Sequence, residues 1–92
     1  MAKDNHIVKR GGHTEPYDER KLYAAVYSAC QSVRETQATS EMIASQVCKE
    51  IGEWLNNKHE VTSHDIRMHT ALHLQAYNED ASWILKHHRN IG

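Results

Sequence analysis

Two short extended segments joined by glycines open the chain, and apolar positions then recur at helical spacing. Residues 6–10 and 13–16 are short extended segments on either side of Gly11 and Gly12, which predicts a β-hairpin. Asp18 then offers an N-cap for a helix. The apolar positions that follow predict a first long helix with one buried stripe, made of Leu22, Val26, Ala29, Cys30 and Val33.

A second helix is predicted by a new start signal and a second apolar stripe. Residues 39–41 (Thr-Ser-Glu) repeat the start signal, and residues 56–58 (Asn-Asn-Lys) end the pattern. Because the two stripes can pack against each other, we expect the two helices to share a core. The second stripe consists of Ile43, Val47, Ile51, Trp54 and Leu55.

The remainder of the chain contains one short extended segment and two further helices. Residues 59–61 (His-Glu-Val) are the candidate for a third strand, and Thr62-Ser63 with Asp65 form a cap for a third helix. Residues 78–80 (Asn-Glu-Asp) open a final helix that ends near Asn90 and Gly92. One face of that helix carries Ala81, Ile84, Leu85 and His88. The predicted fold is therefore α+β, with an amino-terminal β-hairpin or three-stranded mini-sheet packed on a four-helix body.

Length and composition indicate one globular domain over residues 1–92. A chain of 92 residues has room for one core, and 39% apolar with 25% charged residues is ordinary globular usage. The chain has 11 basic and 12 acidic residues, so it has no overall positive charge that would favour binding to nucleic acid or to an anionic membrane. With no apolar run of roughly 20 residues and no signal-peptide pattern at the polar start, we expect a cytoplasmic protein.

The common catalytic and metal motifs are absent from the sequence. It contains no phosphate-binding glycine loop, no HExxH and no nucleophile elbow, so we do not expect an enzyme. Cys30 and Cys48 form no CxxC pair and are expected to face the core. His69 and His73 lie at i and i+4 on one helix, but no third ligand follows at a defined spacing. We therefore expect no structural metal.

One compact run of the chain is Val8-Lys9-Arg10-Gly11-Gly12-His13-Thr14-Glu15-Pro16-Tyr17-Asp18, followed by Lys21-Leu22. This run resembles the signature of the ATP-cone domain, a nucleotide-binding module of ribonucleotide reductases and of the repressor of their genes. The resemblance continues through Val47 and Ile51, Val61-Thr62 with Ile66, and Ala81 with Trp83 and Arg89, and so covers essentially all 92 residues.

The resemblance implies where an adenine nucleotide would lie. Phosphates would contact the cationic side chains of Lys9, Arg10 and Lys21, and the start of the following helix would add donors. Because neighbouring strand residues point to opposite faces, Lys9 and Arg10 are expected to have unequal roles. The base and ribose would lie against Val8, Glu15, Asp18 and Leu22, and the resemblance suggests Arg67 and Lys86 as further contacts.

Simple structural explanations exist for the same residues, and two positions depart from the family pattern. Lys9 and Arg10 fit a solvated hairpin end, Asp18 fits a cap, and Leu22 fits core packing. Gly11 stands where the family usually has aspartate, which removes a carboxylate. The second departure is the final helix, where Trp83 and residues 86–89 (Lys-His-His-Arg) replace a family pattern of tyrosines and arginine.

The function implied by the resemblance is non-catalytic sensing of ATP or dATP, with or without Mg²⁺. With no further domain expected in the 92 residues, the output is expected through a homo-oligomer or a separate protein partner. The third and fourth helices have the poorest periodicity, so some of their large apolar residues should be exposed. Those residues are Met68, Leu72, Tyr77 and Trp83. The alternative is a helical protein-interaction module that has lost nucleotide binding.

Overall fold

The computed structural model describes residues 7–58 and 60–87, without the side chains of Ile7 and Arg10. Predictions that concern His6, His59 and residues 88–92 lie outside the described residues. The elements are three strands and four helices, in agreement with the predicted α+β class. In chain order they are β1 (Ile7–Arg10), β2 (His13–Pro16), α1 (Glu19–Ser32), α2 (Gln37–Leu55), β3 (Glu60–Thr62), α3 (Ser63–Gln75) and α4 (Glu79–His87).

The three strands form one small sheet in the order β2-β1-β3. β1 pairs antiparallel with β2 through the predicted hairpin, and it pairs parallel with β3. Gly11 and Gly12 have φ values of 50° and 92°, the left-handed conformations that a tight two-residue hairpin turn requires. The third strand is therefore confirmed, and it extends the hairpin into a mixed sheet.

Helix α1 begins and ends through specific local hydrogen bonds. The side chain of Asp18 accepts a hydrogen bond from the amide of Arg20, as predicted for an N-cap. At the other end, the amide of Glu35 donates to the carbonyl of Cys30, and the amide of Arg34 donates to that of Gln31. This is the Schellman pattern, and it places Arg34 at φ 70°, where glycine is the usual residue.

Helix α2 begins earlier than the Thr39-Ser40-Glu41 signal predicts. Its N-cap is Thr36, whose hydroxyl accepts a hydrogen bond from the amide of Thr39. Ser40 is fully buried in the first turns of the helix and accepts a hydrogen bond from Gln31 of α1. The predicted start was wrong because Thr36 caps the helix three residues earlier and leaves Thr39 inside it.

The caps of α3 and α4 agree with the sequence. Thr62 and Asp65 bond reciprocally at the start of α3 in a capping box. The side chain of Asn78 accepts a hydrogen bond from the amide of Ala81 at the start of α4. These local bonds fix where both helices begin.

The core lies among the four helices and beneath one face of the sheet. Each helix packs against the next one in the chain, and α4 packs back on α1. Both predicted stripes face this core, with Val33 and Trp54 only partly buried at its margin. Cys30 and Cys48 are buried free thiols, and burial raises their pKa values to about 11 and about 12. Within the part of the chain that the structure describes, no helix is long and apolar enough to cross a membrane.

Candidate functional site

The register of the sheet separates the nominated strand residues onto two faces. Val8 lies opposite Glu15 on β2, and residues directly opposite each other share a face. Lys9 lies opposite Thr14 on the other face, where its ammonium is 3.8 Å from the carboxylate of Glu60. The structure therefore brings Val8 and Glu15 together and places Lys9 on the reverse side. The backbone of Arg10 lies at the end of β1, and its side chain is outside the described part.

A second group of nominated residues meets at the start of α1. The ammonium of Lys21 is 4.0 Å from the carboxylate of Glu15, and the Lys21 side chain is 71% exposed. A surface depression of about 450 Å³ is lined by residues 15–21, including Asp18. This depression thus offers two exposed cations, Arg20 and Lys21, and three carboxylates to a ligand, next to the positive end of the α1 dipole.

Three backbone amides at the start of α1 are already hydrogen-bonded. Arg20 donates to the side chain of Asp18, and the amides of Lys21 and Leu22 donate to the carbonyl of Asp18. We expected this helix end to add donors for a phosphate, but the Asp18 cap occupies these three. The side-chain charges of Lys21 and Arg20 are therefore the main anion-binding features of the depression.

Val8 and Leu22, nominated as contacts for the base, are core residues. Their side chains are 5% and 9% exposed and pack in the same cluster as Val26 and Val61. Core packing therefore accounts for both of them in the described conformation. Their burial also ties the hairpin to α1, so it holds Glu15 and Lys21 near each other.

Arg67 and Lys86 lie apart from the depression at the start of α1, since the residues that line it all come from positions 15–21. Lys86 borders a different depression, of about 400 Å³, between α3, α4 and the end of α2. Leu72 and Trp54 line that second depression as well. Arg67 is half-buried on α3.

Sequence reasoning missed a polar cluster that joins α2 to α3. The carboxylate of Glu50 accepts hydrogen bonds from the hydroxyl of Tyr77 at 2.6 Å and from Nε2 of Gln46 at 3.3 Å, and it lies 2.7 Å from Nδ1 of His73. The Tyr77 hydrogen bond is the main cause of a lowered pKa for Glu50, and the same bond raises the pKa of Tyr77. The i, i+4 spacing of His69 and His73 was the one signal in the sequence.

An aromatic stack lies beside this cluster. The rings of Trp54 and His69 stack with their centroids 4.0 Å apart, and Lys58 lies over the Trp54 ring. Burial, together with the positive charges of His73 and Lys58, lowers the pKa of His69. Among the described residues no three histidine, cysteine or acidic side chains are arranged to hold a metal ion.

Large apolar side chains are exposed on α3, on α4 and in the turn between them, as expected for the third and fourth helices. Leu72 and Trp83 are each 60% exposed and Tyr77 is 36% exposed, whereas Met68 is half-buried. The Trp83 ring stacks on His87 with centroids 4.3 Å apart, and Nδ1 of His87 donates to the Trp83 carbonyl. This surface is a candidate for contact with another protein.

The chain matches a known protein family. The family model described as the ATP cone domain matches residues 5–82, most of the 92-residue chain. No curated protein and no solved structure matches the chain.

Proposed function

The chain belongs to the ATP cone domain family, and we propose that it binds ATP or dATP as a non-catalytic regulatory module. Members of this family are in general nucleotide-sensing regulatory modules. The observation that carries the proposal is the depression at the start of α1, where Glu15, Asp18 and Lys21 meet in the order that the family signature has them.

The negative charge of the triphosphate suggests that it binds beside the cationic side chains of the depression. A phosphate oxygen can replace the Glu15 carboxylate as the partner of Lys21, because the two side chains are 4.0 Å apart and Lys21 is largely exposed. Arg10, at the end of β1, is the second phosphate contact in this proposal. Lys9 is the least direct of the three, because it lies on the reverse face of the sheet beside Glu60.

The carboxylates of the depression are the proposed contacts for the ribose and for a metal ion. The Glu15 carboxylate can accept a hydrogen bond from a ribose hydroxyl, and Asp18 is exposed beside it. Carboxylate oxygens also suit a Mg²⁺ ion that accompanies the phosphates. The resemblance puts the adenine ring near Val8 and Leu22, but both are buried in the core of the free chain and offer the ring little surface.

A second function has support from the same contacts. Lys9 and Lys21 each lie near a glutamate of the chain, and Asp18 satisfies three helix amides. These arrangements suit an interaction module that has kept the fold and lost nucleotide. Exposed Leu72 and Trp83 would then provide its function, so nucleotide binding must be measured directly.

Calorimetric titration with ATP, dATP, GTP and adenosine tests the proposal. We expect micromolar binding of the adenine triphosphates, about −7 to −8 kcal/mol, with weaker binding of GTP. No ADP should form during prolonged incubation with ATP and Mg²⁺. If neither ATP nor dATP gives heat or a thermal shift, the nucleotide proposal fails and the interaction module becomes the better explanation.

We also propose that nucleotide acts through self-association or through docking to a separate protein. The exposed apolar residues of α3 and α4 support this output, and α4 packs directly on α1, whose first turn borders the proposed nucleotide site. Light scattering without ligand, with ATP and with dATP should show a ligand-dependent mass, or a pull-down should show ligand-dependent capture. If saturating nucleotide changes neither, the regulatory output proposed here is refuted.

A further inference from the structure

The outer face of α4 has an ordered charge pattern around one exposed tryptophan. At about 100° per residue, five side chains fall within about 120° of the helix surface, with Trp83 at the centre. All five are exposed, whereas Ala81, Ser82 and Leu85 face the core. The five are Glu79, Asp80, Trp83, Lys86 and His87.

Acidic and basic side chains are separated along this face. Glu79 and Asp80 occupy the first turn, and Lys86 and His87 occupy the last turn. Such charges complement the helix dipole, which accounts for their signs. The dipole does not account for a tryptophan that is 60% exposed between them, with its ring stacked on His87.

We infer that α4 pairs antiparallel with α4 of a second copy of this chain, with Trp83 of each copy beside the two-fold axis. This inference rests on the proposed regulatory function, because it identifies the self-association surface. An antiparallel two-fold brings the first turn of one helix beside the last turn of the other. Residues on the same side of the Trp83 stripe then meet, so Asp80 faces the partner's His87 and Glu79 faces the partner's Lys86.

A second copy fits this face by both charge and shape. The pattern is self-complementary only in the antiparallel direction, since a parallel pair would set like charges together at both ends. The Trp83 rings would cover each other, and Leu72 borders the same depression as Lys86 and would extend the apolar contact. A face that complements itself is what an isologous dimer requires.

The dimer should be weak and sensitive to salt. Stable interfaces bury about 1,200–2,000 Å², and two helices of this length bury less, so we expect a dissociation constant of about 10–500 µM. Ion pairs at the exposed margin are screened by salt, so raising the salt concentration to about 1 M should weaken the pairing.

Sedimentation equilibrium of the 92-residue chain, without ligand and with saturating ATP or dATP, tests the inference. His87→Glu places a carboxylate opposite the partner's Asp80. In whichever ligand condition gives the tightest dimer, it should raise the dimer dissociation constant about tenfold or more. Adding Asp80→Lys restores opposite charges and should bring the constant back to within about threefold. Trp83→Ala should remove the dimer.

Two control variants separate this surface from a general effect of charge or hydrophobicity. Met42 is 54% exposed on α2, and Met42→Ala should leave association unchanged. Lys49→Glu changes charge on the same helix and should also have no effect on the dimer. Thermal melting of each variant shows whether the fold is kept.

The results that would overturn the α4 dimer differ from those that would overturn nucleotide binding. The pairing is overturned if the chain stays monomeric at about 0.5 mM without ligand, with ATP and with dATP, even if calorimetry still detects nucleotide binding. In that case the outer face of α4 would be a candidate for binding a different protein. A dimer that His87→Glu does not weaken, or that the double variant does not restore, overturns the antiparallel register. Loss of nucleotide binding alone, with the dimer intact, contradicts only the proposed function.

Discussion

Lys21→Ala is the most direct test of how phosphate would be recognised. The Lys21 side chain is 71% exposed and lies 4.0 Å from Glu15, so in the free protein the ion pair contributes about 0–1 kcal/mol. Removing it should leave the thermal stability nearly unchanged. The variant is therefore expected to fold, and its effect on binding can be interpreted.

The loss in binding follows from the charge of the ligand. A charged hydrogen bond to phosphate is worth about 1.5–3 kcal/mol, which corresponds to a rise in the dissociation constant for ATP of about 10- to 150-fold. Adenosine carries no phosphate, so its binding should change by less than about threefold. The difference between the two ligands, and not the loss for ATP alone, identifies the contact.

Calorimetry with ATP and adenosine on the parent chain and on Lys21→Ala measures this difference. Lys49→Ala is the matched control, because it removes the same charge from an exposed position on α2. Equal losses for ATP and adenosine, or equal losses in Lys21→Ala and Lys49→Ala, would refute the assigned role of Lys21.

Four other outcomes are expected. Glu50→Gln should cost about 1–2 kcal/mol in chemical denaturation, because the charged acceptor of Tyr77 and His73 is lost. The pKa of Glu50 is lower in the folded protein than in the unfolded chain, so on acidification the unfolded chain takes up this proton first. The free energy of unfolding should therefore decrease as pH falls below about 4.5. In Glu50→Gln this decrease should be shallower. Arg34→Gly should raise stability by about 0.5–1 kcal/mol by relieving φ 70° at the end of α1, and an unchanged melting curve would contradict this. Elemental analysis of untagged protein should find no stoichiometric zinc or copper.

Local patterns were sufficient to predict most of the elements. Turn residues and caps act over three or four positions, so Gly11-Gly12, Asp18 and the Thr62-Asp65 pair could be recognised from their neighbours alone. The apolar stripes of α1 and α2 were also visible, because helical periodicity is a local property. The start of α2 was missed because several adjacent residues between α1 and α2 can cap a helix, and the competition among them is decided by how the turn packs.

Contacts between distant residues could not be predicted in the same way. The parallel pairing of β1 with β3 and the hydrogen bonds of Glu50 with Tyr77 join residues far apart in sequence. No local spacing encodes such a pair, because the distance between the partners depends on how α2 and α3 cross.

At the candidate site, the sequence alone determined which residues are neighbours, since Val8 to Leu22 form one hairpin and one helix start. Strand alternation also indicated that the cations of β1 would not act equally. Only the tertiary structure decided that Glu15 faces Lys21 while Lys9 lies beside Glu60. The reason is physical: burial of Val8 and Leu22 in the common core sets which face of the sheet turns toward α1, and that burial depends on all four helices.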